Sequence, residues 1–554
     1  MAIQQVSYPQ ATTTAGARVV SDARIPGVEN VGRLVRRAAE IWGDRTAWRF
    51  DATSESLSFT QIEQVTRYLA GQLAAAGIRS GDHVAVLATN TLEFPAAWLA
   101  LVRLGAVIVP LNVNYRPTDA SHVVQHAQAT SVLAIDELLP LAAVVASRCP
   151  SVRRVLPLTA LLAAWRTGAA EPHAVELDVA SSDHTANIQY TSGTTGKPKG
   201  CILAHDYWLA IAFTLTHDFP HLTHTDVMLT VQPFHYIDPQ WNVVSALLAG
   251  AELVILDRFH PSTFWQQVRD YNVTYFYCLG LMPTLLLKMP PSADDGRSRV
   301  RAVQASAIPA ALHRTLEERW GVPWFEAYGM TETGADLYVD TCEHDELLGS
   351  GSLGRPRSHR DARVVDAAGQ QCAPGEVGQL RLRGPGLMRG YFNDAAATEA
   401  AFTDGWFHTG DLASVDSSGR LYYRGRTKDM IRRSGENISA NEVEDVLALH
   451  PEVELAAVVA VPDELRGEEA LAYLLVPPVG SAPGGSHDRE EARELITSVL
   501  TACAAELAYF KVPRYWRLAD TLPRTVSERV AKHELTGASA LRGAWDAHES
   551  RWHD

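Results

Sequence analysis

The segment Tyr190–Gly200, YTSGTTGKPKG, constrains this chain more than any other. Its eleven residues hold three glycines, three threonines, one serine and two lysines, and they follow an apolar stretch, Ala186–Tyr190. Glycine lets successive backbone N–H groups turn toward one anion, hydroxyls add donors and ammonium groups add charge. A loop of this make-up at the end of a strand is a phosphate cradle, and the fold must supply a sheet to carry it. It is not a Walker A loop, because Lys197 is followed by Pro198 instead of Ser or Thr. On composition alone, a turn-rich surface loop is an equal reading.

Lysine usage sharpens the choice. Only six of the 49 basic residues are lysines (197, 199, 288, 428, 511 and 532), and two of them sit in this loop. A chain that so favours arginine keeps lysine where a compact ammonium matters. The remaining composition sets outer limits. A length of 554 residues implies two or more domains, and 46% hydrophobic with 20% charged residues is ordinary globular composition. No stretch approaches the roughly 18 apolar residues that span a bilayer. Met1–Gly27 is polar and reads as a flexible N-terminus without a secretory leader. The six cysteines lack a CxxC pair, which predicts reduced thiols and a cytoplasmic location. The net charge of −15 argues against nucleic-acid or anionic-membrane partners.

Hydrophobic periodicity predicts a helix over Thr60–Gly77, a strand over Gly81–Leu87, a helix over Leu92–Leu104 and a strand over Ala106–Pro110. Further strands are predicted at Glu252–Leu256, Val273–Tyr277 and Trp324–Ala327. Alternating strands and helices imply a mainly parallel sheet covered on both faces. After about Gly354, short strands at Ala362–Val365, Gly378–Arg383, Ala413–Val415 and Arg420–Arg424 suggest a small antiparallel barrel or sheet. From Gly425 an αβ pattern returns, with helices Asn441–Leu449 and Glu490–Leu507 and strands Leu455–Val461 and Ala470–Pro477. The expectation is an α/β fold. A large N-terminal domain (28–425) has mixed, mainly parallel sheets, flanking helices and a small β-barrel-like subdomain. A small, mobile α+β C-terminal domain (426–540) follows, with 1–27 a flexible N-terminus and 541–554 a tail.

The Gly/Thr-rich string resembles the phosphate-binding loop of the adenylate-forming superfamily, which holds acyl-CoA synthetases, non-ribosomal peptide adenylation domains and luciferases. Further motifs follow in the family's order. Gly81-Asp82, Asn90 and Gly105–Asn114 look like its N-terminal elements, and Pro233-Phe234-His235 looks like its aromatic gate to the acyl pocket. Tyr328–Thr333 (YGMTET) is similar to its adenine and magnesium motif, Thr409-Gly410-Asp411 to its ribose motif and Gly425–Asp429 to its hinge. Arg433–Glu444 (RSGENISANEVE) looks like the thioester-step loop in the form common among crotonobetaine/carnitine–CoA ligase relatives.

The resemblance implies ATP and Mg²⁺ as cofactors and CoA as the acceptor, with no fused carrier domain. It implies that Thr191, Ser192, Gly193, Thr194, Thr195, Gly196, Lys197 and Lys199 hold phosphates, and that Glu332 ligates the metal. Tyr328, Gly329, Thr331, Asp411, Arg426 and Gly435 complete the nucleotide site, and Lys428 marks the hinge. The acyl pocket falls to His235, Tyr236, Asp238, Leu279, Ala305, Ser306 and Met330, and catalysis to Glu332, His235, Lys199 and Arg529. The gate segment Phe234–Asn242 (FHYIDPQWN) is polar and aromatic, and Gln304-Ala305-Ser306 stands where relatives often have Gly-Gly-Ala. Both departures suit a small polar or aromatic acid carrying an amine or hydroxyl.

One departure touches the chemistry. Family members place a catalytic lysine in Pro-Arg-Thr-x-x-Gly-Lys, whereas this chain reads LPRTVSERVAKHEL over Leu522–Leu535, with Glu528-Arg529 at the Gly-Lys position. Arg529 keeps the charge, Lys532 or Lys511 reaches in, or the first step uses an unusual nucleophile. The leading expectation is therefore an AMP-forming acid–CoA ligase. The alternatives are a diazotase that activates nitrite toward an aromatic amine, and a non-catalytic nucleotide-binding relative.

Overall fold

The computed structural model describes residues 21–168, 175–191, 198–280, 282–434, 436–463, 465–476, 489–524, 530–537 and 539–553, apart from the side chains of Lys428 and Asn437. Among the described residues there are three sheets, of fourteen, seven and six strands. In the six-stranded sheet, Arg154–Pro157, Ser131–Ala134, His83–Leu87, Val107–Pro110 and Thr185–Thr191 run parallel. Lys199–Ala204 then turns back antiparallel to Thr185–Thr191. Thr191 and Lys199, at the two ends of the Gly/Thr-rich segment, are thus paired across the sheet edge, and 192–197 lie outside the described residues.

The fourteen-stranded sheet begins parallel, with Thr46–Phe50, Glu252–Ile255, Val227–Thr230, Tyr275–Leu279, Ala302–Ser306 and Trp324–Met330. Gly334–Tyr338 doubles back on Trp324–Met330, and an antiparallel arm follows through Ser352–Pro356, Leu421–Arg426, Trp406–Val415, Val377–Arg383 and Asp361–Val365. The strands predicted after Gly354 therefore form an arm hydrogen-bonded to the large sheet. They enclose a small core of their own that includes Leu353, Leu380, Leu382 and Leu421.

Helices fill the space between the two N-terminal sheets. Phe59–Ala75 opens on a capping box, with Ser58 Oγ accepting the Gln61 N–H at 3.2 Å and Gln61 Oε1 accepting the Ser58 N–H at 2.8 Å. Every residue of Glu93–Leu104 is buried, so that helix is wrapped on all sides. It shares one core with Phe59–Ala75, His205–His217 and Ile237–Ala249.

The C-terminal sheet runs Glu436–Ser439, Met430–Arg433, Gly467–Leu475, Tyr515–Ala519, Trp545–Asp546 and Arg551–Trp552, with Leu455–Asp463 also paired to Gly467–Leu475. Helices Ala440–Leu447 and Arg489–Glu506 bury Val443, Leu447, Ile496, Val499 and Cys503 against it. The residues read from sequence as a tail are part of this sheet. Trp545–Asp546 and Arg551–Trp552 form a hairpin that pairs with Tyr515–Ala519. Strands of two residues carry no sequence period, so the hairpin was not legible there. Asp546 is fully buried, and its carboxylate accepts Arg514 Nη2 at 2.8 Å and the backbone N–H of His548 at 2.9 Å. Breaking a buried pair strands the remaining charge at about 3–5 kcal/mol. Asp546→Ala is accordingly expected to lower the stability of the C-terminal domain by about 3 kcal/mol, read by denaturant unfolding with a probe in each domain. A loss below about 1 kcal/mol would show the hairpin to be an appendage.

Candidate active site

The turn Thr331–Thr333 joins two strands that lie unusually close. A Cβ on Gly329 would sit 2.2 Å from the Gly334 carbonyl oxygen, and Gly334 adopts φ +90°. Glycine at both positions lets the hairpin close and lifts Glu332 to its tip. Beneath the turn, Arg360 donates from Nη2 to the Thr333 carbonyl at 2.6 Å, and its Nε lies 2.7 Å from Asp336 Oδ1. Asp336 also accepts the Thr333 hydroxyl. Both charged groups are buried, and burial pushes the Asp336 carboxyl up to about 6.

Glu332 is buried, and burial raises its pKa. Tyr391 donates to its Oε1 at 3.1 Å, and the Met388 N–H donates to its backbone carbonyl at 2.8 Å. Lys199 Nζ lies 4.9 Å from the centroid of the Tyr391 ring, and Lys199 is the cross-strand partner of Thr191. Thr191, Lys199, Tyr391 and Glu332 thus form one connected patch at the mouth of the hairpin. Among the described residues no group of three or more His, Cys, Asp or Glu could hold a metal ion. A lone hard oxygen donor beside a phosphate cradle fits Mg²⁺, which keeps several waters and binds through one or two carboxylates plus phosphate oxygens.

On strand Trp406–Val415, Asp411 is buried. It accepts the Tyr328 hydroxyl at 2.6 Å and lies 3.0 Å from Arg426 Nε. Its own N–H donates to Thr409 Oγ1 at 3.0 Å, and Thr409 Oγ1 donates to the Leu380 carbonyl at 2.8 Å. Both Arg426 and Asp411 act electrostatically on Glu332, so the two patches lie near each other.

Beside them lies a cleft enclosing ≈ 430 Å³, part of it open to solvent. Asp238, Trp241 and Asn242 line it from helix Ile237–Ala249 at spacings of three and four. Tyr275, Tyr277 and Gln304 line it from two neighbouring strands, with Tyr328 and Gly329 at one end. Gln304 is 1% exposed; its Oε1 accepts the Tyr275 hydroxyl at 2.8 Å, while its Nε2 has no partner among the described residues.

The sequence-predicted pocket set divides here. Asp238 lines the cleft. Ser306 borders it through a 2.5 Å hydrogen bond with the Tyr277 hydroxyl. Leu279, in register with Ser306, is half-buried at its strand end, and Met330 packs at the edge of the main core. Ala305 requires correction: the two-residue strand period turns it to the opposite face, into the core with Phe276 and Cys278, and presents Gln304 in its place. The gate segment is not an exposed loop but the buried start of a helix. Gln240 is turned away, its Nε2 donating to the Phe234 and Tyr236 carbonyls at 3.0 and 2.9 Å. Asn90 and Gln189 hold the same stretch through the Gln232 and His235 carbonyls. Sequence reasoning missed Tyr391, Gln189 and the Arg360–Asp336 pair. Only Asn187 and Gln189, alternating inside an apolar strand, left a signal. Ser192, Gly193, Thr194, Thr195, Gly196, Lys197, Gly435 and Arg529 lie outside the described residues, as does the Lys428 side chain.

His235 is 5% exposed, its ring 4.4 Å from that of Tyr236, and neither ring nitrogen has a partner among the described residues. Burial pushes it down to about 3. Its ¹⁵N imidazole shifts are therefore expected to stay constant between about pH 5 and pH 8, with His235→Gln supplying the assignment. A midpoint near the ordinary histidine value would contradict the burial.

The patch around Glu332, Lys199 and Asp411 and the cleft beside it belong to a chain whose family is shown by comparison with known proteins. The AMP-binding enzyme family model matches residues 35–392, and the AMP-binding enzyme C-terminal domain matches 442–529. The chain belongs to this family and is an AMP-forming ligase. Crotonobetaine/carnitine–CoA ligase of Proteus mirabilis is 31% identical over 528 residues, covering 92% of this chain and 99% of that protein. The o-succinylbenzoate–CoA synthetase of Bacillus subtilis, solved with its acyl-adenylate, superposes with a TM-score of 0.80 at 28% identity, covering 91% of this chain and 98% of that one. It has also been solved with ATP and a magnesium ion. An anthranilate–CoA ligase shares the fold, with a TM-score of 0.81 at 22% identity over 93% of this chain and 98% of that one.

Proposed function

We propose that this chain uses ATP and Mg²⁺ to adenylate a small polar or aromatic carboxylic acid, which it then transfers to CoA. The carboxylate oxygen attacks the α-phosphorus and pyrophosphate leaves; the CoA thiolate then attacks the acyl carbonyl and AMP leaves. In this reading Lys199 and Thr191, with the loop 192–197, hold the β- and γ-phosphates. Asp411 exchanges its Tyr328 partner for the ribose hydroxyls, with Tyr328 and Arg426 at the nucleoside. Mg²⁺ held by Glu332 supplies charge neutralisation at the phosphates. Neutral His235 guards the acyl entrance, Arg529 provides the cation at the reacting phosphate, and Lys428 is the pivot between the two steps.

The observation that carries the choice of acid is Gln304, which lines the cleft and whose buried Nε2 has no partner among the described residues. A buried donor left unpaired costs about 1–3 kcal/mol, so the cleft favours an acid whose distal end bears an acceptor. Asn242 can donate in the same way from the facing helix, while the acceptor-only Asp238 carboxylate suits a hydroxyl or amine donor on the same acid. Incubation with ATP, Mg²⁺ and an acid panel is expected to release AMP and pyrophosphate, with thioester formed only when CoA is present. AMP released only with nitrite and an aryl amine would replace the ligase reading with a diazotase. ATP bound without turnover would favour a non-catalytic relative. Gln304→Leu is expected to cut the preference for polar over apolar acids by about ten- to hundredfold, measured as a ratio of kcat/KM values.

A further inference from the structure

One face of the antiparallel arm carries arginines that oppose one another instead of carboxylates. Arg363 on strand Asp361–Val365 stands directly opposite Arg381 on Val377–Arg383, and Arg381 stands opposite His408 on Trp406–Val415. The two-residue strand period turns Val364, Leu380 and Leu382 into the arm's core and leaves this row on the other face. Like charges directly opposite on neighbouring strands are destabilising. A chain with a net charge of −15 thus sets basic side chains in one line across three adjacent strands.

The surroundings hold the row in place without neutralising it. Two guanidinium groups stack on Trp406, Arg363 at 4.1 Å and Arg383 at 4.5 Å from its ring centroid. Arg383 is already paired with Asp361 at 3.0 Å. Among the described residues no ion pair joins Arg363 or Arg381 to a carboxylate, and the buried Nε of each has no hydrogen-bond partner. The buried Nε2 of His408 is likewise without a partner there. Both arginines are half-buried, with Nε beneath the surface and the planar fork beyond it. Burial, then Arg381 and Arg383, hold the Arg363 guanidinium below its usual value, and Asp404 and Asp361 do not offset them. Guanidinium forks match the oxygens of a phosphate group. Two uncompensated charges beside an imidazole suit a dianion better than a singly charged carboxylate.

We propose that Arg363, Arg381 and His408 form an anion site for a phosphoryl group, carried either by free phosphate or by the phosphomonoester end of a larger molecule. Trp406 holds the Arg363 fork flat, and Asp361 keeps Arg383 out of the site. The row lies on the fourteen-stranded sheet, whereas Thr191 and Lys199 stand on the six-stranded one, so this is a second place for phosphate. The proposal does not depend on the adenylation reading above.

The test titrates inorganic phosphate, and in a second arm methyl phosphate, into the full-length chain at constant ionic strength. The readout is the ¹⁵N imidazole shift of His408, assigned with His408→Gln, which reports this row and not the mouth. Burial, Arg381 and Arg363 hold the His408 imidazole below its ordinary value, with the Ala400 backbone opposing them. A dianion beside it counters the two arginines and favours imidazolium. Phosphate is expected to move His408 saturably in that direction, with a dissociation constant on the order of 1 mM. Arg381→Gln and Arg363→Gln should each weaken binding at least about tenfold, and Arg381→Lys should weaken it less. Without phosphate, the Tm of Arg381→Gln should equal or exceed the parent's, because a repulsion is relieved. Methyl phosphate binding as well as inorganic phosphate supports the site and assigns it to a phosphomonoester end; a response to inorganic phosphate alone supports it and assigns it to the free ion. No saturable shift with either, or the same shift when potassium chloride replaces phosphate, would overturn the proposal. Unchanged affinity in Arg381→Gln would overturn it too, and a lower Tm or failure to fold in that variant would make the row a support of the arm instead.

Discussion

A single buried ion pair, Arg360 with Asp336, holds the catalytic mouth in shape. Both groups are removed from water, so their mutual attraction must offset a large desolvation cost, and it does so only when the remaining donors find acceptors. Arg360 meets that condition by reaching the Thr333 carbonyl and, through Nη1, the Pro385 carbonyl at 3.1 Å. Those two carbonyls flank the places where Glu332 and the 388–392 segment must stand. The pair therefore binds the tip of one hairpin to the segment that contributes Tyr391. Tyr391 in turn touches Glu332 and Lys199. A pair of hydrophobic side chains could fill the same volume but could not fix two loop carbonyls.

The acyl cleft is organised by the same economy of hydrogen bonds. Asn90, Gln189 and Gln240 spend their amides on the backbone of 232–236, which runs without regular structure into a buried helix. Loop carbonyls at that depth have no water to fall back on, so each needs a side-chain donor. The His235 ring nitrogens and the Gln304 Nε2 are groups near this stretch that the described residues leave without a partner.

The sequence made the strand–helix alternation legible because it depends on local periodicity. Helix Phe59–Ala75 and strand His83–Leu87 fall within two residues of their predicted bounds. Residues at the mouth were legible through motif order, since Glu332, Asp411 and Lys199 each sit in a short string whose chemistry is local. What escaped was non-local. Ala305 was misassigned because a motif fixes position along the strand but not which face meets the cleft. Arg360 and Tyr391 are far in sequence from Glu332, and nothing in their immediate neighbours marks them. The terminal hairpin was hidden because strands of two residues carry no period; only Arg514, some thirty residues earlier, explains why Asp546 is buried.

Helix Ala440–Leu447 links these local devices to the motion that the family's two-step chemistry demands. Its Glu444 holds Lys532, and its Asp445 adds charge to the environment of Glu326, across the domain boundary. Burial, with Asp445 contributing, pushes the Glu326 carboxyl up to about 8, although that carboxyl accepts the Ala307 and Ile308 N–H groups at 2.7 and 2.9 Å. Ala307 lies at φ +64°, a conformation that alanine tolerates poorly. Glu326 therefore stabilises a strained turn at the end of the strand that carries Gln304. The same helix thus places the Asp445 charge near Glu326 and pairs Glu444 with Lys532.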